Sequence, residues 1–208
     1  LLVDIGNSRI KWTTVSRGKA RPSTAFARPD AETLADQAAQ WWGDLKAPRR
    51  ILASNVAGPA FAAALSEWCR AHWQVEIEFI MAQARARGVR NAYTVPDRLG
   101  PDRWAALIGA WHRWPRAALV IHAGTALTAD ALSHDGTFLG GVFVPGFDLM
   151  RNALAAHTAG LCCRPGEFHR FPRTTGDAIA SGAINALCGT IERMTRFMEQ
   201  AGETKPLI

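Results

Sequence analysis

No stretch of this sequence approaches the ~20 consecutive apolar residues of a membrane-crossing helix. The longest strongly apolar runs, AALVI at 117–121 and GGVFVPG at 140–146, are strand-sized. The chain does not open on a basic-then-apolar targeting segment. Cys69, Cys162, Cys163 and Cys188 lack the C-x-x-C spacing of a zinc site or redox pair. The adjacent Cys162 and Cys163 are read as small buried hydrophobes in preference to a reactive pair, and this usage fits a reduced, cytoplasmic protein. His72, His112, His134, His157 and His169 show no metal-ligand spacing and are read as surface or satisfied core residues. Tyr93 is the sole tyrosine. An initiator methionine is missing and the chain stops abruptly at KPLI, so residues are expected beyond both ends.

What is present fits a globular protein. Hydrophobic residues make up 48% and charged residues 20% of 208 positions, enough for one large domain or two small ones. The net charge of +6 makes nucleic acid a candidate partner. The basic residues are scattered, however, and the densest group, RARGVR at 85–90, has no interleaved aromatics. A solvated surface or an anionic small substrate accounts for the charge equally well.

LLVDI reads as a strand buried on both faces, and RIKWTTV as its hairpin partner, followed by the turn SRGK. DAETLADQAAQWW (30–42) has helical spacing behind an Asp cap. RILASN (50–55) reads as a strand ending in polar residues. PAFAAALSEWCRAHW (59–73) reads as a helix with Pro at its start, VEIEFI (75–80) as a half-exposed strand, and GPDRWAALIGAWHRW (100–114) as another helix. Three strands follow, then helices over 147–157 and about 177–200. A shift of 118 residues lays Gly6 on Gly124 and Gly18 on Gly136 inside the same strand–turn–strand–turn–strand pattern. Two domains of like topology are therefore expected, 1–113 and 114–208, each a mixed sheet with helices. The first turn of each is expected to face a cleft between them.

In DIGNSRIK, small residues let backbone N–H groups approach a phosphate. Ser8 and Asn7 add side-chain donors, and Lys11 adds positive charge. Asp4 would repel phosphate, and makes sense with a divalent cation between; the competing reading is a hairpin turn capped by Asp4. In HAGTALTAD, Gly124 and Thr125 occupy the repeated position, and Asp130 either assists a metal-bound water or caps a strand. In YTVPDRLGPDRW, Asp102 and Arg103 open a helix. An acid there complements the helix dipole or accepts a proton from an attacking hydroxyl, with the arginine holding an anionic acceptor. Thr175, in TTGDAIASG, is a helix cap or a substrate donor.

In this order, DIGNSRIKW, YTVP with GPDRW, AGTALTAD, GGVFVPG and TTGDAIASG resemble the type III pantothenate kinases, over about residues 2–182. The subgroup is similar to Bvg accessory factors, within the acetate kinase, sugar kinase, Hsp70 and actin superfamily. The resemblance implies an α/β fold, two domains of similar ribonuclease H-like topology with mixed sheets and a nucleotide cleft between them. It implies ATP-dependent phosphorylation of pantothenate to 4′-phosphopantothenate, the first step toward coenzyme A, in a cytoplasmic homodimer. ATP phosphates would be held by Asp4, Gly6, Asn7, Ser8 and Lys11, with Mg²⁺ at Asp4, and by Thr125 from the second domain. Pantothenate would be held by Tyr93, Gly100, Pro101, Asp102, Arg103 and Thr175, with Asp102 the general base. Three departures stand out. His122 replaces an aspartate that holds a monovalent cation, K⁺ or NH₄⁺; Ser8 replaces a threonine; and a Gly-Gly-Asp-Ala-like segment near the nucleotide is absent. The alternatives are a nucleotide-binding regulatory protein without kinase activity and a phosphatase of the same superfamily.

Overall fold

The computed structural model describes residues 1–158 and 165–208, so Cys162 and Cys163 lie outside the described residues. Two compact units form: Leu1–Ala82 with Asp97–Ala105, and Gln83–Pro96 with Ala106–Ile208.

The first unit contains β1 (Leu2–Ile5), β2 (Arg9–Thr13), the short ribbon β3 (Val15–Ser16) and β4 (Lys19–Ala20), β5 (Thr24–Ala27), α1 (Leu34–Trp42), β6 (Ile51–Asn55), α2 (Pro59–Trp73) and β7 (Ile77–Phe79). Its main sheet runs β5-β2-β1-β6-β7. β2 is antiparallel to β1 and β5, while β6 pairs parallel with β1, and β7 with β6. This is the mixed sheet expected of a ribonuclease H-like topology. Val3, Ile5, Ile51 and Ala53 bury one sheet face beneath Leu34, Ala38 and Trp42 of α1 and Phe61, Leu65, Trp68 and Cys69 of α2. Side chains alternate along a strand, so Asp4 falls on the opposite face. The expectation that β1 is buried on both faces is therefore corrected: Leu2 is 39% exposed, because the helices cover only the Val3–Ile5 side.

The Asp cap expected for α1 is also corrected. Thr33 occupies the N-cap without a side-chain cap bond, and Asp30 instead accepts from Thr33 N–H at 3.2 Å through its backbone oxygen. That turn delays the helix to Leu34. α2 runs over 59–73 as the sequence indicates, with Pro59 at its start. There the missing proline N–H is one that the first helical turn leaves unbonded anyway.

The second unit contains β8 (Arg85–Ala86), β9 (Val89–Asn91), β10 (Ala118–Ala123), β11 (Ala126–Leu132), β12 (Thr137–Pro145), α4 (Phe147–His157) and α5 (Thr175–Gln200). α3 (Pro101–Arg113) has its first turn grouped with the first unit and its remainder with the second. The second sheet runs β10-β11-β12-β9-β8, with β10 to β12 an antiparallel meander. Leu119, Leu127, Ala129 and Ala131 pack against Leu187, Ile191, Met194 and Met198 of α5. Leu207 pairs parallel with Ala118, as β6 pairs with β1.

The repeat has a counterpart in the turns. Gly6 N–H donates to Arg9 O and Gly124 N–H to Ala126 O, each at 3.0 Å. Gly18 and Gly136 both sit at positive φ, 76° and 82°, where a side chain would strain the backbone.

Candidate active site

In the β1–β2 hairpin, Asp4 lies opposite Lys11 on one side and Ser54 of β6 on the other. Asp4 Oδ1 accepts from Ser54 Oγ at 3.2 Å, and Oδ2 lies 3.8 Å from Lys11 Nζ. Neither contact goes to residues 6–9, so this carboxylate does not cap its own turn. The Lys11 and Asp4 side chains are 42% and 33% exposed; such an open pair adds little stability and exchanges partners readily. A Cβ at Gly6 would lie 3.0 Å from Arg9 O, a tight contact that favours glycine there. Asn7 and Ser8 form the exposed tip.

At the start of α3, Arg103 N–H donates to Asp102 Oδ1 at 2.8 Å. A Cβ at Gly100 would lie 2.6 Å from that same oxygen, so glycine at 100 is a condition of the carboxylate's position. Gly100 O accepts from Trp104 N–H at 2.9 Å, and Pro101 is the first helical residue. Arg103 is only 3% exposed.

In the second unit, the Asn91 side chain accepts from Tyr93 N–H and donates to Pro96 O, both at 3.0 Å. It thus shapes the loop that carries Tyr93, whose ring lies 5.2 Å from that of Phe138. Thr125 forms the tip of the β10–β11 turn and accepts from Gly146 N–H at 2.8 Å. Any side chain at 146 would collide with Gly124 O, which ties the Pro-Gly pair of GGVFVPG to this turn. His122 pairs with Thr128, and by alternation shares a sheet face with Thr128 and the buried Asp130. Thr175 is not the cap of α5. Thr174 is, accepting from Asp177 N–H at 3.2 Å. Thr175 instead lines a groove of about 720 Å³ between α4 and α5, with Pro145, Leu149, Met150 and Ile179.

The first unit thus brings Asp4, Gly6, Asn7, Ser8 and Lys11 into one hairpin, and Gly100, Pro101, Asp102 and Arg103 into one helix start. The second unit places His122 and Thr125 in one hairpin, and Tyr93 and Thr175 each on its own loop or helix end. Ser54 and Asn91 were missed. The polar ending of RILASN and an Asn two residues before Tyr93, the spacing of an Asx-turn, were the available signals. Among the described residues no three His, Cys, Asp or Glu side chains form a metal cage. One half-open carboxylate with a hydroxyl beside it suits Mg²⁺, which keeps most of its water and leans on substrate phosphates.

A glycine hairpin on a mixed sheet, repeated in a second unit, defines the fold class, α/β with two units of ribonuclease H-like topology. It is shared with a putative 2-dehydro-3-deoxygalactonokinase from Sinorhizobium meliloti (TM-score 0.57, 16% identity, 98% of this chain and 82% of that one). It is shared also with a conserved putative Baf family transcriptional activator from Campylobacter jejuni (TM-score 0.58, 20% identity, 92% and 77%). Sequence identifies the family. The profile of the type III pantothenate kinases matches residues 1–197. The type III pantothenate kinase of Aromatoleum aromaticum is 45% identical over 197 residues, 94% of this chain and 79% of that protein. That of Nitrosospira multiformis is 41% identical over 198 residues, 95% and 74%. The chain belongs to the type III pantothenate kinase family.

Proposed function

We propose that this protein transfers the γ-phosphoryl group of ATP to pantothenate, forming 4′-phosphopantothenate, the first step toward coenzyme A. The family match over residues 1–197 carries this reading. It favours neither a phosphatase nor a regulatory protein without activity. Incubating purified protein with Mg·ATP and pantothenate should yield one ADP per 4′-phosphopantothenate; ADP release independent of pantothenate would overturn it.

Phosphoryl transfer depends mostly on positioning and charge neutralisation. The Gly6–Ser8 turn and Lys11 bind the ATP phosphates, and Thr125 is a further phosphate donor. Asp4, held by Ser54, would be the protein's ligand to Mg²⁺. The ion, when bound, neutralises phosphate charge. Tyr93, Gly100, Pro101, Arg103 and Thr175 hold pantothenate. Asp102 takes the hydroxyl proton on Oδ2, since Oδ1 already accepts from Arg103 N–H; a base of this kind contributes roughly 10²–10⁴ in rate.

His122 offers no hard oxygen, and K⁺ gains little from imidazole nitrogen. A protonated imidazole would instead supply positive charge near the phosphates. Rates in Na⁺, K⁺ and NH₄⁺ at constant ionic strength should therefore be similar, with K⁺ or NH₄⁺ activation appearing in His122→Asp. Strong activation of the wild type would refute this assignment. A cytoplasmic homodimer completes the reading. The support for the location is the family itself, and that for the pair is the α4–α5 groove, which leaves Leu149 and Leu154 46% and 41% exposed.

A further inference from the structure

Arg28 lies just past β5, 20 residues beyond the Asn7–Ser8 tip, and belongs to none of the motifs above. Its backbone N–H donates to Ser8 O at 2.9 Å, and its side-chain Nε donates to Asn7 O at 2.7 Å. One residue therefore fixes two successive carbonyls of the turn. The guanidinium is seated over the Phe61 ring, 4.5 Å from its centroid. Phe61 is itself 4% exposed in the core beneath the sheet, so the arginine has a rigid floor.

The consequence follows from peptide geometry. In a planar trans peptide, the C=O of one residue and the N–H of the next point in opposite directions, and no cis bond occurs among the described residues. With Asn7 O directed at Arg28, the Ser8 N–H is directed away from it. With Ser8 O directed at Arg28, the Arg9 N–H is directed away too. Arg28 thus sets the orientation of the two amides at the tip of the turn. Oriented successive amides are what an anion-binding turn requires.

We propose that Arg28 is a positioning residue for phosphate binding: it clamps the Asn7 and Ser8 carbonyls so that the Ser8 and Arg9 amides are aimed before ATP arrives. This rests on the reading of the β1–β2 hairpin as the phosphate turn. The side-chain clamp is a charge-assisted hydrogen bond. Its loss should weaken ATP binding about tenfold, or ~1.4 kcal/mol. The effect should be confined to ligands that carry phosphates.

The test uses the full chain and calorimetric titration with Mg·ATP and, separately, adenosine, for wild type, Arg28→Gln, Arg28→Lys and Phe61→Leu. Arg28→Gln should lose about tenfold toward Mg·ATP and nothing toward adenosine. Arg28→Lys keeps the charge but not the planar Nε donor, and should resemble Arg28→Gln. Phe61→Leu keeps an apolar floor but removes the ring, and should show a smaller loss of the same kind. Full rescue by lysine would mean that charge alone matters, and would overturn the proposal. Equal losses toward ATP and adenosine would mean a general structural role, and would also overturn it. Wild type that binds Mg·ATP without phosphorylating pantothenate would refute the proposed reaction, yet the Arg28 comparison would still decide this proposal. Wild type that binds no ATP would refute both.

Discussion

At the scale of single residues, the two carboxylates can be separated by experiment. Asp102→Asn preserves an oxygen to accept from Arg103 N–H at the 2.8 Å contact and removes only the capacity to take a proton. Turnover should fall by about 10²-fold or more, with Mg·ATP affinity unchanged by titration. Activity within about threefold of wild type, less than any general base contributes, would remove Asp102 from its role. Asp4→Asn should behave in the opposite way. Because Asp4 sits between Ser54 and Lys11 rather than bonding its own turn, its loss should weaken ATP far more with Mg²⁺ than without it. Equal losses in the two series would make Asp4 structural. The positions of both were legible in the sequence, Asp4 as an acid ending an apolar run and Asp102 as an acid in the first turn of a helix, where the dipole favours it. Ser54, Asn91 and Arg28 were not, because what matters is their partner. Arg28 meets Asn7 only once β5 has returned beside β2, and no spacing along the chain encodes that return.

At the scale of elements, turns were more legible than helix starts. SRGK announces a hairpin through its glycine, Gly136 repeats that position 118 residues on, and both Gly18 and Gly136 adopt left-handed backbone. The surroundings of the two glycines differ. A Cβ at Gly18 would meet nothing within 4 Å, whereas one at Gly136 would lie 2.6 Å from Gly88 O and 3.1 Å from the Trp111 ring. Gly18→Ala should therefore cost only the left-handed backbone term, about 1 kcal/mol. Gly136→Ala adds a collision with a backbone oxygen that cannot turn aside, and should cost about 2–3 kcal/mol or more. Denaturant unfolding of both variants at equal m-value measures the difference; equal losses would mean that the β8–β9 turn yields. The start of α1 was misread because Asp30 is a common cap type. The choice between capping through its side chain and closing a turn through its carbonyl is made by the backbone path from Arg28, not by composition.

At the scale of the whole molecule, the repeated glycines and strands made the two-unit plan readable. The interleaving of residues 83–96 and 97–105 between the units was not, because a helix such as α3 carries no mark of which neighbours it joins. Assembly is the least legible property, because an interface is made of whatever surface folding leaves open. Trp104 of α3 is 1% exposed and so sits in the core, whereas Trp114, just past the end of the helix, is 49% exposed. Among the described residues one apolar surface is the groove between α4 and α5, which Leu149, Met150, Leu154 and Ile179 line together with Thr175. A second copy seated there would cover those side chains, and a stable pair needs roughly 1,000 Å² or more of buried surface. Light scattering at micromolar concentration should give about 45 kDa, twice the 22.6 kDa chain. Leu149→Glu, at a position already 46% exposed, should fold normally but put a charge into the covered groove. It should return the mass to that of one chain. Because Thr175 lines the same groove, the monomeric variant should also show a raised KM for pantothenate with its KM for ATP unchanged. A dimer that survives Leu149→Glu would place the interface elsewhere, and a wild-type mass of about 23 kDa would remove it altogether.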